Sequence, residues 1–228
     1  MKNLFILIFC VVLMFSLCGC NDGATPESET AMQSAEEQST GIVPNDVPED
    51  SEAAINVKAV VADYLDTFIS CDYEKIKENL HEDDRWCFNF ESEDQMDFYN
   101  AIFPLVEYKF DYVSEYEGVY GVMTEITSPD MAQVYGTIIT DYIDSTTGNS
   151  NQSPKEIMSG SKDRMIELIK SSETPRRVGQ LYIYVEYIDG EYIPRCNAFL
   201  ANELTGGAPE TSDEISSSLN EAVGALSE

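Results

Sequence analysis

Between residues 52 and 69 the chain places Val57, Val60, Val61, Tyr64, Leu65 and Phe68 at i, i+3, i+4, i+7, i+8 and i+11, with Lys58, Asp63 and Asp66 between them. Side chains so spaced share one stripe of a 3.6-residue helix, which predicts an amphipathic helix from about Glu52 to Ile69. SCDYEKIKENL breaks that pattern and restarts it. Asp72 suits an N-cap, because its carboxylate accepts from the unpaired N–H groups of a first turn, and Tyr73, Ile76 and Leu80 fall inward. Ser92 and Gln95 have the spacing of a capping box. They predict a third helix with Met96, Tyr99, Ile102 and Phe103 apolar and Pro104 at its end.

The period then falls to two. In EYKFDYVSEYEGVYGVMTEIT, Tyr108, Phe110 and Tyr112 alternate with Lys109 and Asp111. After a turn at Gly118, Tyr120, Val122, Thr124 and Ile126 continue the alternation, as an antiparallel hairpin with one wet and one dry face requires. Ser128-Pro129-Asp130 opens a helix with Met131, Val134, Ile138 and Ile139 apolar, and DSTTGNSNQSP is loop. Lys155 to Lys170 is helical, with Ile157, Met165, Leu168 and Ile169 apolar. RRVGQLYIYVEYIDGEYIPRC holds two strands joined at Asp189-Gly190, a strong two-residue hairpin signal. The short helix NAFLANEL ends at Gly206-Gly207. These elements predict one α+β domain over 51–207, followed by a Ser- and Glu-rich tail over 208–228 that is flexible or weakly helical.

The N-terminus has a different character. Met1-Lys2-Asn3 precedes a run from Leu4 to Leu17 that is apolar except for Ser16. This is too short to span a bilayer stably, but it has the length of a signal-peptide core. It ends Leu17-Cys18-Gly19-Cys20, which resembles the bacterial lipobox of an aliphatic residue, two small residues and a cysteine. On that likeness residues 1–19 are a signal peptide and Cys20 is the lipidated residue. Cys18 fits badly, since it would put bulky Leu17 beside the cleavage site. Two acyl chains on Cys20 give the double hydrophobic signal that stable anchoring needs. Asn21 to Asp50 carries eight Asp or Glu, no Lys or Arg and no aromatic residue. Such a segment buries too little apolar surface to offset its ordering entropy, so 20–50 reads as the lipidated cysteine and a disordered acidic linker reaching roughly 30 Å.

Charge narrows the partners. The chain has 13 Lys plus Arg against 42 Asp plus Glu, net −29. Nucleic-acid binding draws its affinity from basic residues that release counterions, and no basic patch is present to supply them. A basic peptide or protein partner remains compatible, and so does a purely solubilising role for the acidity. No cofactor or metal motif is present: His81 is the sole histidine, and Cys71, Cys87 and Cys196, the cysteines of the domain, lack zinc-type spacing. An odd number of cysteines leaves at least one thiol unpaired, with buried free thiols the expectation and a Cys71–Cys87 bridge the alternative.

VVADYLDTFISCDYEKIKENL, a hairpin followed by ITSPDM, then YVEYIDGEYIP and NAFLANELTGG make the region from Ile55 to Gly207 resemble a group of uncharacterised lipoproteins of Gram-positive, often clostridial, bacteria. Many of that group have Trp where this chain has Tyr192. The resemblance implies a cystatin-like or nuclear-transport-factor-two-like roll, a curved antiparallel sheet around a long N-terminal helix, on the extracellular face of the cytoplasmic membrane. It implies no reaction, because that fold hosts many functions.

Where enzymes use this fold, a carboxylate or histidine in an apolar cavity acts as base. Glu125 and Glu186, mid-strand, are the candidates, though Glu125 alternates away from Val122, Thr124 and Ile126 and so toward solvent. HEDDR, His81 to Arg85, lacks the loop spacing and turn glycine of a calcium site and reads as a solvated helix end. In LYIYVEY, Leu181, Ile183, Val185 and Tyr187 share one face and Tyr182, Tyr184 and Glu186 the other. Two apolar faces imply that the second is covered, by a helix of the protein or by a ligand. Tyr182 and Tyr184 are therefore the candidate ligand-pocket residues, with a core wall the preferred reading. The expectation is a lipid-anchored binding or scaffolding module without catalytic activity. The alternatives are a carrier using the sheet cavity and an enzyme using a buried carboxylate.

Overall fold

A computed structural model describes residues 45–225. The expected signal sequence, Cys20 and most of the expected acidic linker lie outside the described residues. Five antiparallel strands form one sheet in sequence order: β1 (Asn45–Val47), β2 (Glu107–Tyr116), β3 (Val119–Pro129), β4 (Arg176–Ile188) and β5 (Glu191–Pro194). β1 was not expected. The last residues of the presumed linker pair with β2, Val47 opposite Val113, and leave the chain at the sheet edge.

Helix α1 (Glu52–Ile69) has the predicted limits, with Ser51 accepting from the Ala54 N–H at 3.2 Å as N-cap. Its stripe of Val57, Val61, Tyr64, Leu65 and Phe68 is sealed from water. Asp72 caps α2 (Tyr73–Asn79) through the Lys75 N–H, and Ser92 caps α3 (Glu93–Ile102) through the Gln95 N–H. Between them, Glu82–Cys87 forms 3-10 turns. Tyr99 stacks on Phe103 at 5.0 Å, and Phe103 meets Phe68 edge-on, so the helical layer locks through aromatic rings.

α4 (Met131–Thr147) buries Met131, Val134 and Ile138 as predicted, and also Tyr135 and Tyr142; it runs on to Gly148, whose φ of 80° ends it inside the presumed loop. The single helix expected over 155–170 is two, α5 (Pro154–Ser159) and α6 (Ser161–Lys170), separated at Gly160. Glycine costs more conformational entropy in a helix than any residue that could propagate it. Asn197 caps α7 (Ala198–Leu204). After Gly207 comes a helix, α8 (Ala208–Ala225), held down by buried Ala208, Thr211 and Ser212 and by Arg177, which bonds Glu203 at 3.0 Å and Glu210 at 2.8 Å.

The sheet's inner face carries Val113, Val122, Thr124, Ile126, Ile183 and Val185, each at most 1% exposed, against the helical layer. One irregularity changes the expected alternation. The β2–β3 register shifts between Phe110 and Val113, so Val113 takes the inward place opposite Val122. Tyr112, expected on the dry face with Tyr108 and Phe110, is turned to the other side. A bulge re-aims a side chain in this way at the cost of one ladder position.

Candidate functional site

The other face of the sheet is built from the alternate residues of the same strands. Register places Met123 opposite Tyr182, Gly121 opposite Tyr184 and Glu125 opposite Gln180. The bulge adds Tyr112, whose hydroxyl hydrogen-bonds that of Tyr182, with the rings edge-to-face at 6.0 Å. Tyr182 and Tyr184 lie nearly parallel, ring centres 6.4 Å apart. Gly121 makes room for this arrangement. A Cβ there would come within 3.1 Å of the Tyr182 ring and 3.2 Å of the Ser114 Oγ, so the ring lies directly over the glycine backbone.

This face is open. Tyr184 is 47% exposed, Tyr116 and Val119 are exposed beside it, and Val178 is exposed toward the far end. The expectation that a helix of the protein covers this face as a core wall is corrected at Tyr184, while Tyr182 is half-buried. α1 spends its single apolar stripe on the inner face, and one stripe covers one side of a sheet. The two tyrosines form a ledge. Burial and, ahead of it, the bond from Tyr112 push the Tyr182 hydroxyl up to about 12, with the Asp46 carboxylate adding to the effect.

Carboxylates edge the ledge. Glu125 accepts from Gln180 Nε2 at 3.3 Å, on the side facing away from Ile126 as the alternation requires. Glu186 lies next along β4 and binds Arg195 Nη1 at 3.1 Å. The HEDDR segment does not behave as a solvated helix end throughout. Asp84 is 6% exposed and accepts from Arg195 Nε at 2.9 Å, from Arg195 Nη2 at 3.0 Å and from the Cys196 N–H at 3.1 Å. With its partners Asp84 and Glu186, the Arg195 guanidinium is held above its ordinary range. No local pattern announced this network, since Asp84 and Arg195 meet only when β5 folds back. The sole hint is a lone arginine directly before a cysteine at a strand end. His81 instead serves locally, its Nδ1 accepting from the Asp83 N–H at 3.3 Å.

The two candidate bases are thus tied to an amide and to a guanidinium, both on the open face. Among the described residues no group of three or more His, Cys, Asp or Glu side chains is placed to hold a metal ion. Two hollows among the described residues lie away from the sheet. One of about 520 Å³ is lined by Lys77, Leu80, Arg85, Phe88 and Phe90, and a polar one of about 530 Å³ by Asp141, Asp144, Asn151 and Arg164. Compared with family models, curated proteins and solved structures, the chain matches none.

Proposed function

We propose that this chain is a lipid-anchored binding module of the bacterial cell surface, held by Cys20 and an acidic tether, that presents the open face of its sheet to a basic peptide or protein segment. The observation that carries this reading is the ledge itself: Tyr182 lies over Gly121, bonded to Tyr112 and nearly parallel to Tyr184, whose ring is exposed. Aromatic faces attract Lys and Arg side chains through the ring quadrupole, at about 0.5–2 kcal/mol each depending on desolvation. Asp46, Glu125 and the protein's net charge of −29 favour the same sign of partner. Rigid tyrosines offer contact area at small entropic cost, as binding surfaces commonly exploit. We further assign the architecture to the cystatin-like or nuclear-transport-factor-two-like roll, on the strength of a long first helix lying against one side of an antiparallel sheet.

Calorimetric titration with an extended decapeptide alternating Lys or Arg with Val tests the binding reading, beside its Glu-substituted counterpart. Salt-sensitive binding of the basic peptide alone is expected, with at least tenfold weakening in Tyr184→Ala. Equal affinity of the variant would reduce the effect to diffuse charge, and an unbound basic peptide overturns the reading. Fatty-acid labelling tests the anchor: label is expected on the parent and on Cys18→Ser and absent from Cys20→Ser. Label retained without Cys20 would remove the lipobox assignment.

A further inference from the structure

Cys87 ends the 3-10 segment and Cys196 follows β5, far apart in sequence, yet both belong to the same buried core, at 8% and 4% exposure. The Asp84 carboxylate aligns them. It grips the Arg195 guanidinium with both oxygens and takes the Cys196 N–H at 3.1 Å, so the backbone of Cys196 is fixed to the turn that immediately precedes Cys87. A 3-10 turn stacks residue i on i+3, so Asp84 and Cys87 share one face of it, and the carboxylate sets Cys196 on that same face. Cys87, ahead of burial, holds the Cys196 thiol well above its ordinary range. The Tyr64 hydroxyl makes no well-formed hydrogen bond and lies against the same Cys196 sulfur. Cys71 sits elsewhere, in the turn after α1 with a φ of 54° and beside Tyr73. The Asp84 carboxylate thus ties Cys196, and not Cys71, to the turn that carries Cys87. All three are free thiols here.

We infer that Cys87 and Cys196 are a disulfide-forming pair that joins the 3-10 segment to the end of β5. Both S–H bonds break and one S–S bond forms. The two protons and two electrons pass to a disulfide-bearing oxidant, whose own S–S bond is reduced to two thiols. Such oxidants act outside the cytoplasm, so the bridge in the cell rests on the export reading above, while the capacity to form it does not. A buried thiol that resists ionisation is a slow nucleophile. The bond therefore forms during folding, before the pair is sealed, and once made it is structural and not a redox switch.

The full chain, unfolded and then refolded in a buffer of oxidised and reduced glutathione, tests this. Free thiols are trapped with N-ethylmaleimide in denaturant and the protein is digested without reductant. The expected product joins the Cys87 peptide to the Cys196 peptide and leaves Cys71 alkylated. Alkylation of both Cys87 and Cys196, or joining of either to another cysteine, overturns the inference. As a second measurement, reductant should lower the denaturation midpoint of the parent and leave those of Cys87→Ser and Cys196→Ser unmoved. A parent midpoint indifferent to reductant overturns it equally. Bridge formation in glutathione together with absent fatty-acid labelling would remove the export reading and leave the pairing intact.

Discussion

The two faces of the sheet are made by the same strands, one residue apart, and differ in almost every physical respect. On the inner side Val122, Ile126, Ile183 and Val185 share one dry core with Tyr64 and Phe68 of the helical layer. On the other, Tyr112, Tyr182 and Tyr184 are equally bulky and stack with equal order, but water reaches them. Apolar mass alone does not make a core. A strand supplies two faces, and which one closes depends on where the helices bring their own stripes.

The largest consequence lies on the sealed face. Phe68 is fully buried and touches Tyr64, Phe88 and Phe103. Phe68→Ala is expected to cost about 4 kcal/mol, in the range for buried aromatic truncation, measured by urea denaturation. A loss below about 1 kcal/mol would mean that the two faces are not energetically distinct.

Next in size is the network that ties the open face to the core. Arg195→Ala strands the buried Asp84 carboxylate without its charge partner and should cost about 3 kcal/mol, as broken buried pairs do. Arg195→Ala combined with Asp84→Ala should recover part of that loss. No recovery would mean that Arg195 acts through packing alone.

Third comes the edge. A chain beginning at Ser51 lacks β1, whose Asn45, Asp46 and Val47 pair with Glu115, Ser114 and Val113. It should be less stable by about 1 kcal/mol, a shift of a few degrees in thermal midpoint for a domain of this size. An unchanged midpoint would return those residues to the tether.

A smaller effect is expected on the ledge. Tyr184→Ala removes a ring that is half in water and should cost less than about 1 kcal/mol, within the usual range for surface substitutions, while weakening binding of the basic peptide at least tenfold. A loss of 3 kcal/mol or more, typical of core truncation, would show that this face is closed in solution.

The smallest effect is one of pH. The Tyr182 phenol is raised from 10.0 to about 12, so folding favours its protonated form. Its contribution is present in full below pH 10 and disappears as pH climbs from there to about 12. The stability difference between the parent and Tyr182→Phe should therefore be flat below pH 10 and narrow above it. A difference that widens with pH would reverse the assignment of cause.

Much of this fold was legible from local pattern. The 3.6-residue stripe from Val57 to Phe68, the N-caps Asp72 and Ser92 and the Asp189-Gly190 turn each act over a few residues, so the chain sets them wherever it sits. Asp189 and Gly190 take φ values of 54° and 93°, as a two-residue hairpin demands. Tyr182, Tyr184 and Glu186 were also correctly grouped on one face, because alternation is a property of the strand. What alternation does not encode is cover. Whether the ledge is core or surface was decided by α1 docking on the other side. Tyr112 reached it only through a bulge that depends on how β2 aligns with β3. Asp84 was hidden among exposed acids and became buried because Arg195 arrives from the far end of the sheet. The bond from the Cys196 N–H to Asp84, beside Cys87, has the same origin. The sequence by itself determined most of the elements, their inner stripes and their turns, since those follow from backbone sterics and local hydrogen bonds, and missed those, such as β1, that exist only by pairing with a distant strand. Only the tertiary structure decided which face meets water and which charges and thiols meet each other, since those contacts join residues that no local rule relates.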